Sequence, residues 1–143
     1  MSVLGRGSIG RASAVTVAVG VLGITAVTPA HAEGERRTSL SNIAAGFRSK
    51  QWYDGNADDW RTAIVLKGCS SNSPQAAPVL QVYRNRRLYP DAKYGKRGYY
   101  GCGHKWVRGD WGRRKDKGYY YFKAENMGAD FYRVSARDVR IYW

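Results

Sequence analysis

From residue 44 onward, apolar and polar positions alternate with a period of two over short stretches. Gly, Asn, Ser or Pro interrupts them every ~8–12 residues, the rhythm of strands and tight turns. Phe47 to Trp52 is the first such stretch, closed by Asp54-Gly55-Asn56. In Trp60 to Lys67, Ile64 and Leu66 alternate with Ala63 and Val65, so both faces are apolar, as in a central strand. Gly68 to Pro74 reads as a loop, and Val79 to Arg84 alternates again. Tyr99–Cys102 and Lys105–Arg108 are shorter candidates within a glycine-rich, charged stretch. Gly118 to Ala124 contains Tyr119-Tyr120-Tyr121-Phe122 and turns at Asn126-Met127-Gly128 into Phe131 to Ser135. Arg137 to Trp143 closes the chain, with Val139, Ile141 and Trp143 on one face and Arg140 and Tyr142 on the other. No window past residue 32 repeats with a helical period. The pattern predicts an all-β fold, a small antiparallel sandwich or barrel of about six or seven strands. Residues 33–43 are polar and aperiodic and read as a flexible lead-in to a single β domain over 44–143.

The start of the chain follows different rules. Arg6 and Arg11 precede an apolar run from Ala12 to Val27, then come Pro29 and the small-residue pattern Ala30-His31-Ala32. This is the layout of a secretory signal peptide over 1–32, cut after Ala32. Gly20 and Gly23 make the run short and weakly hydrophobic for a membrane anchor, so no transmembrane anchor is expected. An exported chain meets an oxidising environment, and Cys69 and Cys102 are its only cysteines, so they read as one disulfide. The layout, a leader before a compact Tyr/Trp-rich β domain with one disulfide, is similar to that of many small exported proteins of Gram-positive bacteria. The likeness is one of layout.

Charge sharpens the picture. Removing 1–32 takes two of the 24 basic residues and none of the 11 acids, leaving a net charge of +11. Residues 84–117 hold 12 basic and 3 acidic residues, a net of +9, whereas 33–83 and 118–143 carry +1 each. Aromatic residues are threaded through the same segment. Arginine forks suit phosphate and carboxylate, and flat rings suit sugars or bases. The candidate contacts are Arg84, Arg86, Arg87, Tyr89, Lys96, Arg97, Tyr99, Trp106, Arg108 and Trp111. The run Gly112–Gly118 reads as a plain hairpin turn.

Sites for chemistry are sparse. His31 leaves with the leader, so His104 is the one histidine of the mature chain. No Gly-x-Ser-x-Gly context offers a serine nucleophile, and with both cysteines paired no zinc-ligand set remains. Asp54-Gly55-Asn56-Ala57-Asp58 matches the start of a calcium loop, but Asp59 stands where Gly belongs and Val65 where Glu belongs. No metal or cofactor is expected. The leading reading is a small cationic secreted binding protein, non-enzymatic, acting on an anionic envelope polymer, polysaccharide or protein. Nucleic acid belongs to the same class of polyanion. A second reading is a small secreted hydrolase such as a ribonuclease, with His104 and Glu125 exchanging protons and Arg84 holding phosphate. A third is an enzyme inhibitor presenting a loop over residues 70–101, with Tyr83 to Pro90 as its contact edge.

Overall fold

The computed structural model describes residues 34–143, so the leader pattern over 1–32 lies outside the described residues. Eight strands form: β1 (Glu35–Ile43), β2 (Trp52–Asp54), β3 (Ala63–Ser71), β4 (Val79–Arg84), β5 (Ala92–Gly98), β6 (Val107–Asp110), β7 (Gly118–Ala124) and β8 (Val134–Tyr142). They make two antiparallel four-stranded sheets, ordered β1-β8-β3-β6 and β2-β7-β4-β5. The fold is an all-β sandwich with one disulfide, Cys69–Cys102. No helix among the described residues is long and apolar enough to cross a membrane.

The core lies between the sheets and follows the alternation in the sequence. Ile64 and Leu66 of β3, with Val134, Ala136, Val139 and Ile141 of β8, supply one wall. Trp52, Leu80, Val82, Tyr120, Phe122 and Ala124 supply the other. Tyr99 ties the two together. Its backbone N–H donates to Pro78 O (2.9 Å) beside β4, while its fully buried hydroxyl donates to Ile64 O (3.1 Å) in the opposite sheet. Gly109, opposite Ile64 in β6, leaves the space that this phenol fills.

Several expected boundaries shift for identifiable reasons. Within the expected flexible lead-in over residues 33–43, Glu35–Ile43 instead form β1, which pairs with β8 from Glu35↔Tyr142 to Ile43↔Val134. Reciprocal bonds between Gly34 and Trp143 (2.8 and 3.0 Å) anchor its start. As an edge strand it buries only Leu40 and Ile43, and hence shows no alternation. The Phe47–Trp52 stretch contributes a single bridge, Arg48↔Lys123, before β2 begins. There the Ser49 hydroxyl accepts the Phe122 N–H (2.9 Å) in place of a backbone carbonyl.

β3 runs on through the expected 68–74 loop to Ser71, because Gly68 takes a left-handed φ of 67° without changing the register. Tyr99–Cys102 enters a turn rather than a strand, and β6 starts at Val107 instead of Lys105. β5 escaped the alternation test because it is an exposed edge strand rich in Lys, Arg and Gly. Phe131 stays in a loop held by Asn72, and β8 is one continuous strand. Gly112–Gly118 is no hairpin, since β6 and β7 belong to different sheets and this segment crosses between them.

Candidate functional site

The sandwich disperses the basic segment 84–117. Tyr99 and Trp111 are buried in the core, with the Trp111 indole N–H donating to Gly95 O. Arg84 is mostly covered and pairs with Asp116 (3.3 Å). Lys96 pairs with Glu125 (3.2 Å), and Arg97 donates to Asp110 O (2.9 Å) while lying over the Trp111 ring. Arg86, Arg87 and Tyr89 project from the β4–β5 loop. Of the ten candidate contacts, Lys96 reaches the outer face of β2-β7-β4-β5, opposite Gln81, whereas Trp106 and Arg108 share the broad open surface of the other sheet.

That surface is the outer face of β1-β8-β3-β6. Residues directly opposite each other in a sheet share a face. Arg37 is opposite Arg140, Arg140 is opposite Val65, and Val65 is opposite Arg108. Ile64, Leu66, Val139 and Ile141 point into the core, so this row points out. With strands ~4.8 Å apart, the row spans about 14 Å and places three arginines around one valine.

Aromatic rings support the cations. Arg140 lies over the Trp106 ring at 4.5 Å and Lys67 approaches the same ring at 5.8 Å. Arg108 sits over Tyr142 at 5.9 Å. Such contacts orient a guanidinium plane while leaving its N–H edges free for an anion. Three acids flank the row: Glu35 bonds Arg37 (2.7 Å), Asp110 bonds Arg61 (2.9 Å) and approaches Arg108 (3.6 Å), and Asp138, opposite Lys67, bonds Arg137 (3.2 Å). Burial alone would raise the Asp110 carboxyl, but Arg61, the Gly112 N–H and Arg108 outweigh it and hold the group below its ordinary value. Arg140 makes no ion pair among the described residues, and it occupies the middle of the face.

The other sheet carries a different surface. Tyr83 stacks on Tyr121 with ring centres 5.3 Å apart, Arg48 covers Tyr121 at 3.8 Å, and Lys123 approaches Tyr83 at 5.1 Å. The Tyr83 hydroxyl donates to Glu125 (2.8 Å) and the Tyr121 hydroxyl donates to Asp91. Burial, and then these bonds, push both phenols up to about 12. A raised folded value means the stabilisation is complete below the unfolded value near ~10 and disappears as pH rises through the folded one. Stability should therefore hold up to about pH 9.5 and fall between about 10 and 12, tracking tyrosinate absorbance. Burial also raises the Tyr99 and Tyr120 phenols, so Tyr83→Phe with Tyr121→Phe should make that fall shallower without abolishing it, and an unchanged profile would remove these two phenols as a cause.

The proposed acid–base set is divided along β4, with Glu125 at one end and Arg84 at the other. Glu125 is engaged by Tyr83 and Lys96, and it follows β7 where its N–H donates to Val79 O (2.8 Å). Arg84 lies at the other end of β4, about 17 Å away along the strand. His104 is exposed in the turn beside the disulfide, and its ring has no hydrogen bond among the described residues. Residues 70–101 are likewise not one loop, because β4 and β5 run through them and divide the non-strand residues into 72–78, 85–91 and 99–101. The Asp54 and Asp58 carboxylates each accept a backbone N–H two residues on, from Asn56 (2.8 Å) and Trp60 (2.9 Å), as in ordinary Asx turns. Among the described residues no group of three or more His, Cys, Asp or Glu side chains is placed to hold a metal ion.

A cleft of about 520 Å3 opens between β1 and residues 47–50, floored by Leu40, Phe47, Phe122 and Ile141. Arg36 at its rim is already committed to Gln51 O (3.1 Å) and lies over the Trp143 ring. Thr38, Ser39, Ser49 and Lys50 complete its lining, and it shares Arg37 with the arginine row.

Sequence reasoning missed Arg37, Lys67, Arg140 and Tyr142 as members of this site. Strand alternation already puts Arg140 and Tyr142 on one face of the last strand, and Lys67 on the face of Val65. What was absent was the order of strands in the sheet, which brings β1 and β6 to either side of them. Comparison with known proteins adds no relative: no family model, curated protein or solved structure matches the chain.

Proposed function

We propose that this is a small exported binding protein that holds an extended anionic polymer across the outer face of β1-β8-β3-β6. The observation that carries the reading is the cross-strand pair Arg37↔Arg140, continued through Val65 to Arg108. Like charges directly opposite in a sheet destabilise it, and an anion bridging them relieves that repulsion. Three guanidinium forks along one line suit repeated phosphate or carboxylate groups better than a single small ion. Trp106 adds a ring surface beside the line. Export is supported by the leader pattern of residues 1–32 and by a disulfide, which persists in oxidising compartments. The bound polymer would belong to the cell envelope or its surroundings.

The test uses inorganic polyphosphate as the probe, with binding measured across a salt series. Binding should weaken with a linear log–log dependence on salt, because it releases condensed counterions. Arg37→Gln, Arg108→Gln and Arg140→Gln together should cost roughly 100-fold at low salt. They should also reduce the salt slope by about 2, at ~0.7 per contact on a flexible strand. Unchanged affinity in the triple variant would overturn the assignment of this face. Single-stranded DNA in a parallel arm distinguishes a general polyanion site from one that prefers nucleic acid.

A further inference from the structure

Of the eight large apolar side chains exposed among the described residues, five sit at one end of the sandwich: Tyr53, Trp60, Leu88, Tyr89 and Tyr119. Strand directions place them there. β2 ends at Asp54 opposite Gly118, where β7 begins. β4 ends at Arg84 opposite Ala92, where β5 begins, and β3 begins at Ala63 opposite Asp110, where β6 ends. The loops at this end are tied to one another and to the sheets. Thr62 N–H donates to Gly112 O (3.0 Å), the Asn56 amide donates to Lys115 O (2.8 Å), and Asn85 N–H donates to Tyr119 O (2.8 Å).

The furthest projection is the 85–91 loop. Leu88 is 85% exposed and Tyr89 70% exposed, at a turn in which Tyr89 N–H donates to Arg86 O (3.4 Å). The turn is braced rather than loose. Arg86 Nε donates to Pro90 O (2.8 Å), and its backbone N–H donates to Asp91 (3.2 Å). Arg86, Arg87, Lys115 and Lys117 stand around this end with no ion pair among the described residues. The acids nearby are already engaged: Asp116 by Arg84 (3.3 Å), Asp59 by Arg113 (2.5 Å) and Asp91 by the Tyr121 hydroxyl.

We infer that this end of the sandwich docks on an anionic lipid bilayer, with Leu88 entering the headgroup–acyl boundary. Tyr and Trp side chains with an apolar body and a polar tip settle at the headgroup level, which is where Tyr89, Trp60, Tyr53 and Tyr119 ring the tip. The unpaired Arg and Lys side chains meet lipid phosphates at the same level. A protein partner would call for a contiguous apolar centre, whereas here one aliphatic side chain projects among cations, with Arg86 over the Tyr89 ring (5.8 Å) and Tyr53 packed edge-on against Tyr119 (5.2 Å). This surface differs from the arginine row, so the two assignments stand or fall separately.

The experiment is co-sedimentation of the mature protein with vesicles of phosphatidylcholine carrying a minor fraction of phosphatidylglycerol, against vesicles of phosphatidylcholine alone. The intact protein should partition to the mixed vesicles and lose this binding in high salt. Leu88→Ser should lower partitioning about 10-fold, and Arg86→Gln with Arg87→Gln by a similar factor. Both sites are exposed, so the sandwich is not at stake, and Arg87→Gln alone, which spares the Arg86–Pro90 brace, should lower partitioning by about 3-fold. The triple variant of Arg37, Arg108 and Arg140 should still bind vesicles to within about 3-fold. No binding to mixed vesicles, or equal binding by Leu88→Ser, would overturn the inference. So would loss of vesicle binding in the triple variant with Leu88→Ser unaffected, which would hand the interaction to the sheet face.

Discussion

Replacing both Cys69 and Cys102 by alanine should lower the melting temperature by about 15 °C. The bond closes a loop with a sequence separation of 33 residues, for which chain entropy gives about 3–4 kcal/mol. Its position adds to the effect. Cys69 lies in β3 of one sheet, whereas Cys102 lies in the connection that leaves β5 of the other, so the bond clamps the sheets together. Cys69 N–H also donates to Cys102 O (3.1 Å), and this contact loosens when the clamp is removed. Thermal unfolding of the intact and double-alanine proteins, followed by near-ultraviolet circular dichroism, reads the shift directly. A change of under about 3 °C would mean that sheet packing alone holds this corner.

Gly109→Ala should be nearly as damaging, by about 2–3 kcal/mol or roughly 10 °C. The residue has an ordinary backbone conformation, so the cost comes from space alone. An added methyl would meet the Tyr99 hydroxyl, Tyr99 Cζ at 2.9 Å and Arg97 Cβ at 3.1 Å. Tyr99 has nowhere to move, since it is fully buried and its hydroxyl bridges to Ile64 O. Tyr99→Phe should cost about 1 kcal/mol by removing that buried hydrogen bond. The double variant should cost less than the sum of the two, because the phenol oxygen that clashes is gone. Full additivity would place the clash elsewhere.

How much of this was readable beforehand depended on burial. Ile64, Leu66, Val139 and Ile141 show strict alternation because each is pressed between two sheets. That constraint made the all-β class and the central role of β3 legible. Edge strands carry no such mark. β1 buries two of its nine residues, and five of the seven residues of β5 are Gly, Lys or Arg, so neither reads as a strand from periodicity. The disulfide was legible because only two cysteines exist.

The site was only half legible. A charge run along the chain says nothing about which side chains meet across a sheet. Of the residues in 84–117, Tyr99 and Trp111 turned inward as core, while Arg84, Lys96 and Arg97 were absorbed by local acids and carbonyls. Cross-strand order instead united Arg37, Arg140 and Arg108, which lie far apart in sequence.

The most direct test of that union is a nuclear magnetic resonance titration of the isotopically labelled protein, residues 33–143, with short-chain polyphosphate. The arginine-row account predicts the largest shifts at Arg37, Lys67, Arg108 and Arg140 and at the Trp106 indole, fading together as salt is added. Shifts confined to the 85–91 and 111–117 loops or to His104, with the sheet face silent, would contradict it.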